Sequence, residues 1–191
     1  GSLITQLRND AQTEIVSSVD RINDLVSQIA SLNGDIKGAA NLSRSVAGLE
    51  DQRDIAIKEL SNYLEITSFQ RGDGVIVVQS ITGVQLADER PTEVFFDPGV
   101  LGATTTYPQS AAGIYIGGDP TKTIKSVDVT ATNLGGKLGA LVELRDKTLI
   151  QYQAQVDELA HKLALRLDSQ GLRLFTDSAG SVPLDTPPDP S

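Results

Sequence analysis

A single histidine, His161, lies in the run Leu159-Ala160-His161-Lys162-Leu163. A nucleophile–histidine–acid triad would have to use it, yet no Gly-x-Ser-x-Gly elbow exists to carry the nucleophile. Zinc sites recruit several His or Cys ligands, so one histidine does not make one. In helical register His161 falls beside the apolar seam, and a surface or partly buried structural place is expected. Gly135-Gly136-Lys137 has the look of the close of a phosphate loop, but Ala131 stands where that pattern needs Gly and Leu138 where it needs Ser or Thr. These glycines are read instead as the turn from strand into helix. Gly72-Asp73-Gly74 lacks the spaced acidic ligands of a calcium loop and is read as a hairpin turn. Asn41-Leu42-Ser43 fits a glycosylation sequon, a tripeptide common by chance. The carboxylate pairs Glu50/Asp51 and Asp157/Glu158 fall on polar helix faces, where nothing encloses them for acid–base work. No catalytic residue, metal ligand or cofactor-binding residue is expected.

Two cations are the informative anomaly. Arg53 and Arg145 each interrupt an apolar stripe, and each precedes an aspartate, Asp54 and Asp146. An arginine buried without a partner is costly by several kcal/mol, so each must be paired or must reach solvent along its stem. One expectation is that Arg145 pairs across helices with Asp51 or Asp54 and fixes their register. The alternative is that both guanidinium groups reach water.

Composition narrows the elements that position these residues. The 191 residues suffice for one ordinary domain or two small ones, with 39% hydrophobic and only 4% aromatic side chains. Burial therefore falls to Leu, Ile, Val and Ala, which suits long helices packed side by side. A net charge of -9 without a basic patch argues against nucleic acid. The absence of cysteine excludes disulfides and thiolate chemistry. Apolar runs are as short as Val75-Ile76-Val77-Val78, so no membrane partner is expected. Gly1-Ser2 in place of an initiating Met reads as the remnant of a cleaved tag, so a missing leader says nothing about location.

Ile15, Ile22, Ile29 and Ile36 recur every seven residues, with Leu25 and Leu32 completing an a/d seam and Ser18 its polar exception. This predicts a helix from about Leu3 to Leu32, ended by Gly34, with Asp20, Arg21, Asn23, Asp24, Ser27 and Gln28 on a solvated face. A second helix is predicted near Val46 to Leu64, its apolar face Val46, Leu49, Ala56, Ile57, Leu60 and Leu64. A third follows Gly135-Gly136 to about Gln170, with Leu138, Val142, Leu149, Tyr152, Val156, Leu159 and Leu163 as its seam and Gly171 as its cap. Between the second and third helices lie six short β-prone runs: Ile66 to Gln70, Val75 to Gln79, Val84 to Leu86, Glu93 to Phe96, Gly113 to Ile116 and Ser126 to Val129. Phe69, Phe95, Phe96, Tyr107 and Tyr115 are expected to form a small separate β core there. The fold expected is mainly α with a β insertion (α+β): an antiparallel bundle with a small antiparallel β subdomain at one end. The divisions expected are 1–65 for the first two helices, 66–132 for the β-rich insertion, 133–175 for the third helix, and 176–191 for a linker or the start of a further domain.

Three segments carry a resemblance. Leu49-Glu50-Asp51-Gln52-Arg53-Asp54, continuing through Lys58-Glu59-Leu60, resembles a helix of the flagellar hook-associated protein 1 family, the proteins of the hook–filament junction. Gly135-Gly136-Lys137-Leu138-Gly139-Ala140-Leu141, followed by Leu144-Arg145-Asp146, resembles the start of that family's next long helix. Val19-Asp20-Arg21-Ile22-Asn23-Asp24-Leu25 and Gln28-Ile29-Ala30-Ser31-Leu32-Asn33 resemble its preceding helix. The similarity runs roughly from Ala11 to Gly180, and the insertion matches only in position and hairpin pattern. The resemblance marks Asp51, Gln52, Arg53, Asp54, Gly135, Gly136, Arg145 and Asp146 as family-motif residues. It implies a structural subunit that joins hook to filament by helical packing. It implies an extracellular place on the flagellum, reached through the flagellar export channel without a cleaved signal. The implied partners are hook protein, the second junction protein and copies of itself, with this truncated chain a monomer.

A flagellin-like or other hook-associated subunit, or an adhesin on a helical stalk, would also need heptads and a β head. An enzyme is the least supported class, because nothing convergent and ionisable emerges.

Overall fold

The structure is a computed structural model and describes residues 2–170. Its spine is one long helix, α1 (Ser2–Asn41), followed by α2 (Ala47–Tyr63). Six short strands come next: β1 (Ile66–Gln70), β2 (Ile76–Ser80), β3 (Gln85–Ala87), β4 (Val94–Phe95), β5 (Tyr115–Ile116) and β6 (Val127–Asp128). The chain then returns through α3 (Gly136–Glu143), a π-helical turn at Leu144–Thr148, and α4 (Leu149–Ser169). Helices with small antiparallel sheets make this an α+β fold. The sheets have the orders β1-β2-β3 and β4-β5-β6.

The heptad of α1 explains how one helix serves two layers. Its a and d positions, Ile15, Ile22, Leu25, Ile29, Leu32 and Ile36, are buried, and Ser18 is buried with its hydroxyl donating to Glu14 O at 2.7 Å. The e positions Gln12, Val19, Val26 and Asn33 are buried as well. The apolar arc is therefore far wider than a two-helix seam requires. Its g flank meets the other helices: Glu14 pairs with Lys137 at 2.8 Å and Arg21 with Glu59 at 2.7 Å. Its b and e flank meets the strands through Asn23 and Asn33, and the loops between them through Asn9, Gln12 and Lys37.

Several expectations change here. Gly34 does not end α1, which runs on to Asn41. Asn33 and Ile36 are buried on both sides of the glycine, and that tertiary burial outweighs glycine's weak helix propensity. The strands do not form a separate core at one end. Val78, Leu86, Ala87, Val94, Ile114, Ile116 and Val129 join Ile15, Ile22, Leu60 and Leu138 in one continuous core. The strands instead lie along α1, where Asn23 bonds β4 and Asn33 bonds β2. The aromatics are not its centre: Phe69 is exposed and Phe96 packs only at the edge.

The third helix stops being covered partway. Leu138, Val142 and Leu149 are buried, but Tyr152, Val156, Leu159 and Leu163 are 53%, 49%, 69% and 50% exposed. The reason is length. From the antiparallel Glu14–Lys137 and Arg8–Arg145 contacts, residues beyond about Tyr152 lie past the first residue of α1. α4 overhangs its partner. The expected cap at Gly171 and the stretch 176–191 lie outside the described residues.

Candidate functional site

The features singled out by the sequence resolve into two buried polar joints rather than a reaction centre. The first is built on Arg145, whose side chain is fully buried. Its Nε and Nη2 donate to the two oxygens of Asp146 at 2.7 Å each, a bidentate pair within one dipeptide. Nη2 also donates to Ala112 O at 3.0 Å, and the guanidinium lies 5.6 Å from the centre of the Phe96 ring. Arg145 therefore does not reach Asp51 or Asp54, which are both exposed on α2. The cause is local. The π-helical turn adds a residue to the coil and sets Asp146 on the same inward side as Arg145.

That wide turn has a second consequence. The Leu149 N–H bonds Leu144 O, five residues back, rather than Arg145 O. The Arg145 carbonyl is left without its helical partner, and Arg8 Nε of α1 donates to it at 3.0 Å. Arg8 also bonds Gly102 O at 3.2 Å and Thr105 O, so one guanidinium joins α1, the π turn and the loop before β5. Burial holds its pKa below the ordinary arginine value, with Asp146 acting in the opposite direction. Arg8 is absent from the sequence expectations, although it sits one heptad before Ile15 on the same seam.

The second joint is built on Arg53 and Asn33. Arg53 is buried on α2 and donates through Nη1 to Asn33 Oδ1 at 3.0 Å and Gly74 O at 2.8 Å. Asn33 also accepts from Ile76 N and donates to Ile76 O and Asp88 O. One amide thus binds α1, α2, β2 and the turn after β3. Among the described residues Arg53 has no carboxylate partner, and Gln52 and Asp54 are exposed beside it. Leu49, at the start of α2, is half-buried, and Leu60 is fully buried.

The Asn33 pattern repeats along the helix. Asn23, expected on a solvated face, exchanges two hydrogen bonds of 2.8 Å with the N–H and C=O of Val94. Asn9 does the same with Leu101 at 3.2 and 3.3 Å, and Gln12 donates to Gly99 O. A carboxamide carries both a donor and an acceptor, so it replaces a neighbouring strand for one residue of backbone. Polar residues at the b and e positions beside an a/d seam were the signal for this.

Gly135 and Gly136 are a close approach rather than a phosphate cradle. They hold φ values of 61° and 56°, and a Cβ at Gly136 would lie 2.6 Å from the Tyr63 carbonyl carbon. The Glu65 N–H bonds Leu134 O at 2.7 Å just beside them. α3 therefore begins pressed against the end of α2. An open cleft of about 650 Å³ beside this crossing is lined by Tyr107, Thr130, Asn133, Glu143, Asp146 and Lys147. The Arg145 guanidinium takes both oxygens of Asp146, so that carboxylate of the cleft is already engaged. His161 is half-buried on the overhang of α4. Among the described residues no group of three or more His, Cys, Asp or Glu could hold a metal, and no helix is long and apolar enough to cross a membrane.

A helical spine cross-braced to two small sheets by buried arginines and amides defines a rigid structural module. The chain belongs to the family described as the flagellar hook-associated protein FlgK helical domain, whose model matches residues 2–180. It is 27% identical over 174 residues to flagellar hook-associated protein 1 of Escherichia coli (strain K12), covering 84% of this chain and 29% of that protein. It is similar in structure to the flagellar hook junction protein FlgK from Burkholderia pseudomallei, with a TM-score of 0.70 and 26% identity over 95% of this chain and 32% of that one. The chain thus spans about a third of the length of these relatives.

Proposed function

We propose that this chain is the helical module of a structural subunit that joins hook to filament in the bacterial flagellum, and that it acts by packing rather than by catalysis. Family membership over nearly the whole chain supports the flagellar setting. The observation that carries the packing role is the overhang of α4, where Tyr152, Val156, Leu159 and Leu163 keep heptad spacing yet face solvent. Leu3 and Leu7, near the start of α1, are 66% and 43% exposed. An apolar stripe at heptad spacing is the kind of surface that a partner helix covers. The occupants we assign are helical segments of the junction assembly: further parts of the parent polypeptide, copies of itself, hook protein and the second junction protein. Its place is extracellular, on the flagellum, reached through the flagellar export apparatus without a cleaved signal.

The test is Leu159→Glu in the parent protein. Because Leu159 is exposed, the thermal unfolding of the isolated chain should be unchanged. Cells should lose motility and shed unassembled filament subunit into the medium. Full motility with intact junctions in Leu159→Glu, and again in Val156→Glu, would contradict the proposal.

A further inference from the structure

Asn33 is the one asparagine in the chain that glycine follows; Asn9, Asn23, Asn41, Asn62 and Asn133 precede Asp, Leu or Tyr. In an Asn-Gly pair the side-chain amide is open to attack by the next backbone nitrogen. The Gly34 nitrogen gives up its proton to water and bonds to Asn33 Cγ. The Cγ–Nδ2 bond breaks, and the amide nitrogen leaves as ammonia from the closed succinimide ring. Water then adds to one of the ring carbonyls. Opening at Cγ leaves aspartate in an ordinary backbone, whereas opening at the main-chain carbonyl leaves isoaspartate, whose backbone runs through the side chain. Glycine favours the first step because no Cβ shields its nitrogen or restricts its approach.

The fold closes this route at each part. Asn33 and Gly34 lie inside α1, so the Gly34 N–H points along the helix axis toward Ala30 O and away from the Asn33 side chain. The carboxamide is fully buried and pinned at both ends. Nδ2 donates to Ile76 O and Asp88 O at 2.8 Å each, and Oδ1 accepts from Ile76 N and Arg53 Nη1 at 3.0 Å each. Attack needs the helix to unwind at Gly34 and all four bonds to break. The backbone itself does not require the glycine. Its φ is not positive, a Cβ there would meet nothing within 4 Å, and alanine is the better helix former.

We infer that Asn33-Gly34 is a latent deamidation site, closed in the folded chain and open when α1 unwinds, whose product cannot rebuild the joint between α1, α2 and β2. Aspartate at this position sets a carboxylate oxygen where Nδ2 stood, 2.8 Å from two carbonyl oxygens that have both lost their donor. Attraction to Arg53 does not return those donors. Isoaspartate adds a carbon to the α1 backbone between Leu32 and Ile36, both buried, and breaks the seven-residue register of the seam. The site therefore records time spent unfolded, and a chain aged in that state is kept out of the fold.

The test is to age the 191-residue chain at mildly alkaline pH, in buffer and in guanidinium chloride, and to follow Asn33 by peptide mass spectrometry. In denaturant Asn33 should convert at the rate of the free peptide Leu32–Ile36. In buffer it should convert about 100-fold more slowly or less, because attack waits on opening of a buried element. After removal of denaturant, circular dichroism and resistance to protease should return only in the fraction with Asn33 intact. Gly34→Ala should slow the reaction in denaturant by about tenfold or more, and the aged variant should refold. That variant keeps Asp73-Gly74, so damage at the hairpin turn would appear there as well. Equal conversion in buffer and denaturant, full refolding of chains already converted at Asn33, or the same loss of refolding in Gly34→Ala would each overturn the proposal.

Discussion

Arg145 is fully buried and held by a bidentate pair, a carbonyl and an aromatic face. Removing it leaves Asp146 nearly buried and unpaired, a change that costs about 3–5 kcal/mol in comparable settings. Arg145→Ala is therefore expected to lower the unfolding free energy by that order in a denaturant titration. The double change Arg145→Met with Asp146→Leu should recover much of it, since no charge is then left buried. Asn33 is comparably exposed to loss, because Asn33→Ala orphans two carbonyls and an N–H at once and leaves Arg53 Nη1 with Gly74 O alone. Upwards of about 3 kcal/mol is expected from the same measurement. At this scale the sequence was half legible. A charge inside an apolar stripe revealed Arg53 and Arg145. Their partners stayed hidden, because Asp146 is reached only through a π turn that periodicity does not encode. Arg8 was readable in principle from the extended heptad, and the amides only after the strands had been placed against α1.

At the scale of elements, the crossing of α2 and α3 depends on bare backbone. Gly136→Ala places a Cβ against the Tyr63 carbonyl at a φ of 56°, and the expected cost is at least about 2 kcal/mol, read as a lower melting temperature with unchanged helix content. The β1–β2 hairpin is tied to α1 by a surface network of Lys37, Arg71, Asp73 and Glu89, with N–O distances of 2.6 to 3.3 Å. Hydrogen bonds from Lys37 and then Arg71 pull the Glu89 pKa down to about 2, and Arg71 holds Asp73 well below the usual carboxylate range. Depressed carboxylate values stabilise the fold above the unfolded pKa and lose that contribution as the pH falls through the folded one. Amide protection in the hairpin should therefore fall between the ordinary carboxylate range and about pH 2, while protection in the centre of α1 persists, because solvent-screened pairs contribute little to the global free energy. The elements themselves were well marked: the six strands fall within the alternating runs and turns of the sequence, to within a residue or two. Gly34 misled because tertiary burial of Asn33 and Ile36 overrides a local helix breaker.

At the scale of the whole molecule the chain divides its labour. One end is a core locked by polar joints, and the other end is an apolar helix surface left open. The sequence shows a uniform seam from Leu138 to Leu163, and nothing in its period marks where cover stops. Among the described residues that boundary follows from the antiparallel register of α1 with α3 and α4, a three-dimensional fact. The overhang of α4 is expected to be buried in the assembled flagellum. The most direct test is to place Val156→Cys in the parent protein, where this segment has no cysteine of its own, and to compare maleimide labelling rates in isolated protein and in intact flagella. The account predicts rapid labelling of the free subunit and strong protection in the assembled structure, with Asp54→Cys on the exposed face of α2 as a control that labels in the free protein. Equal labelling of Val156→Cys in both states would contradict it.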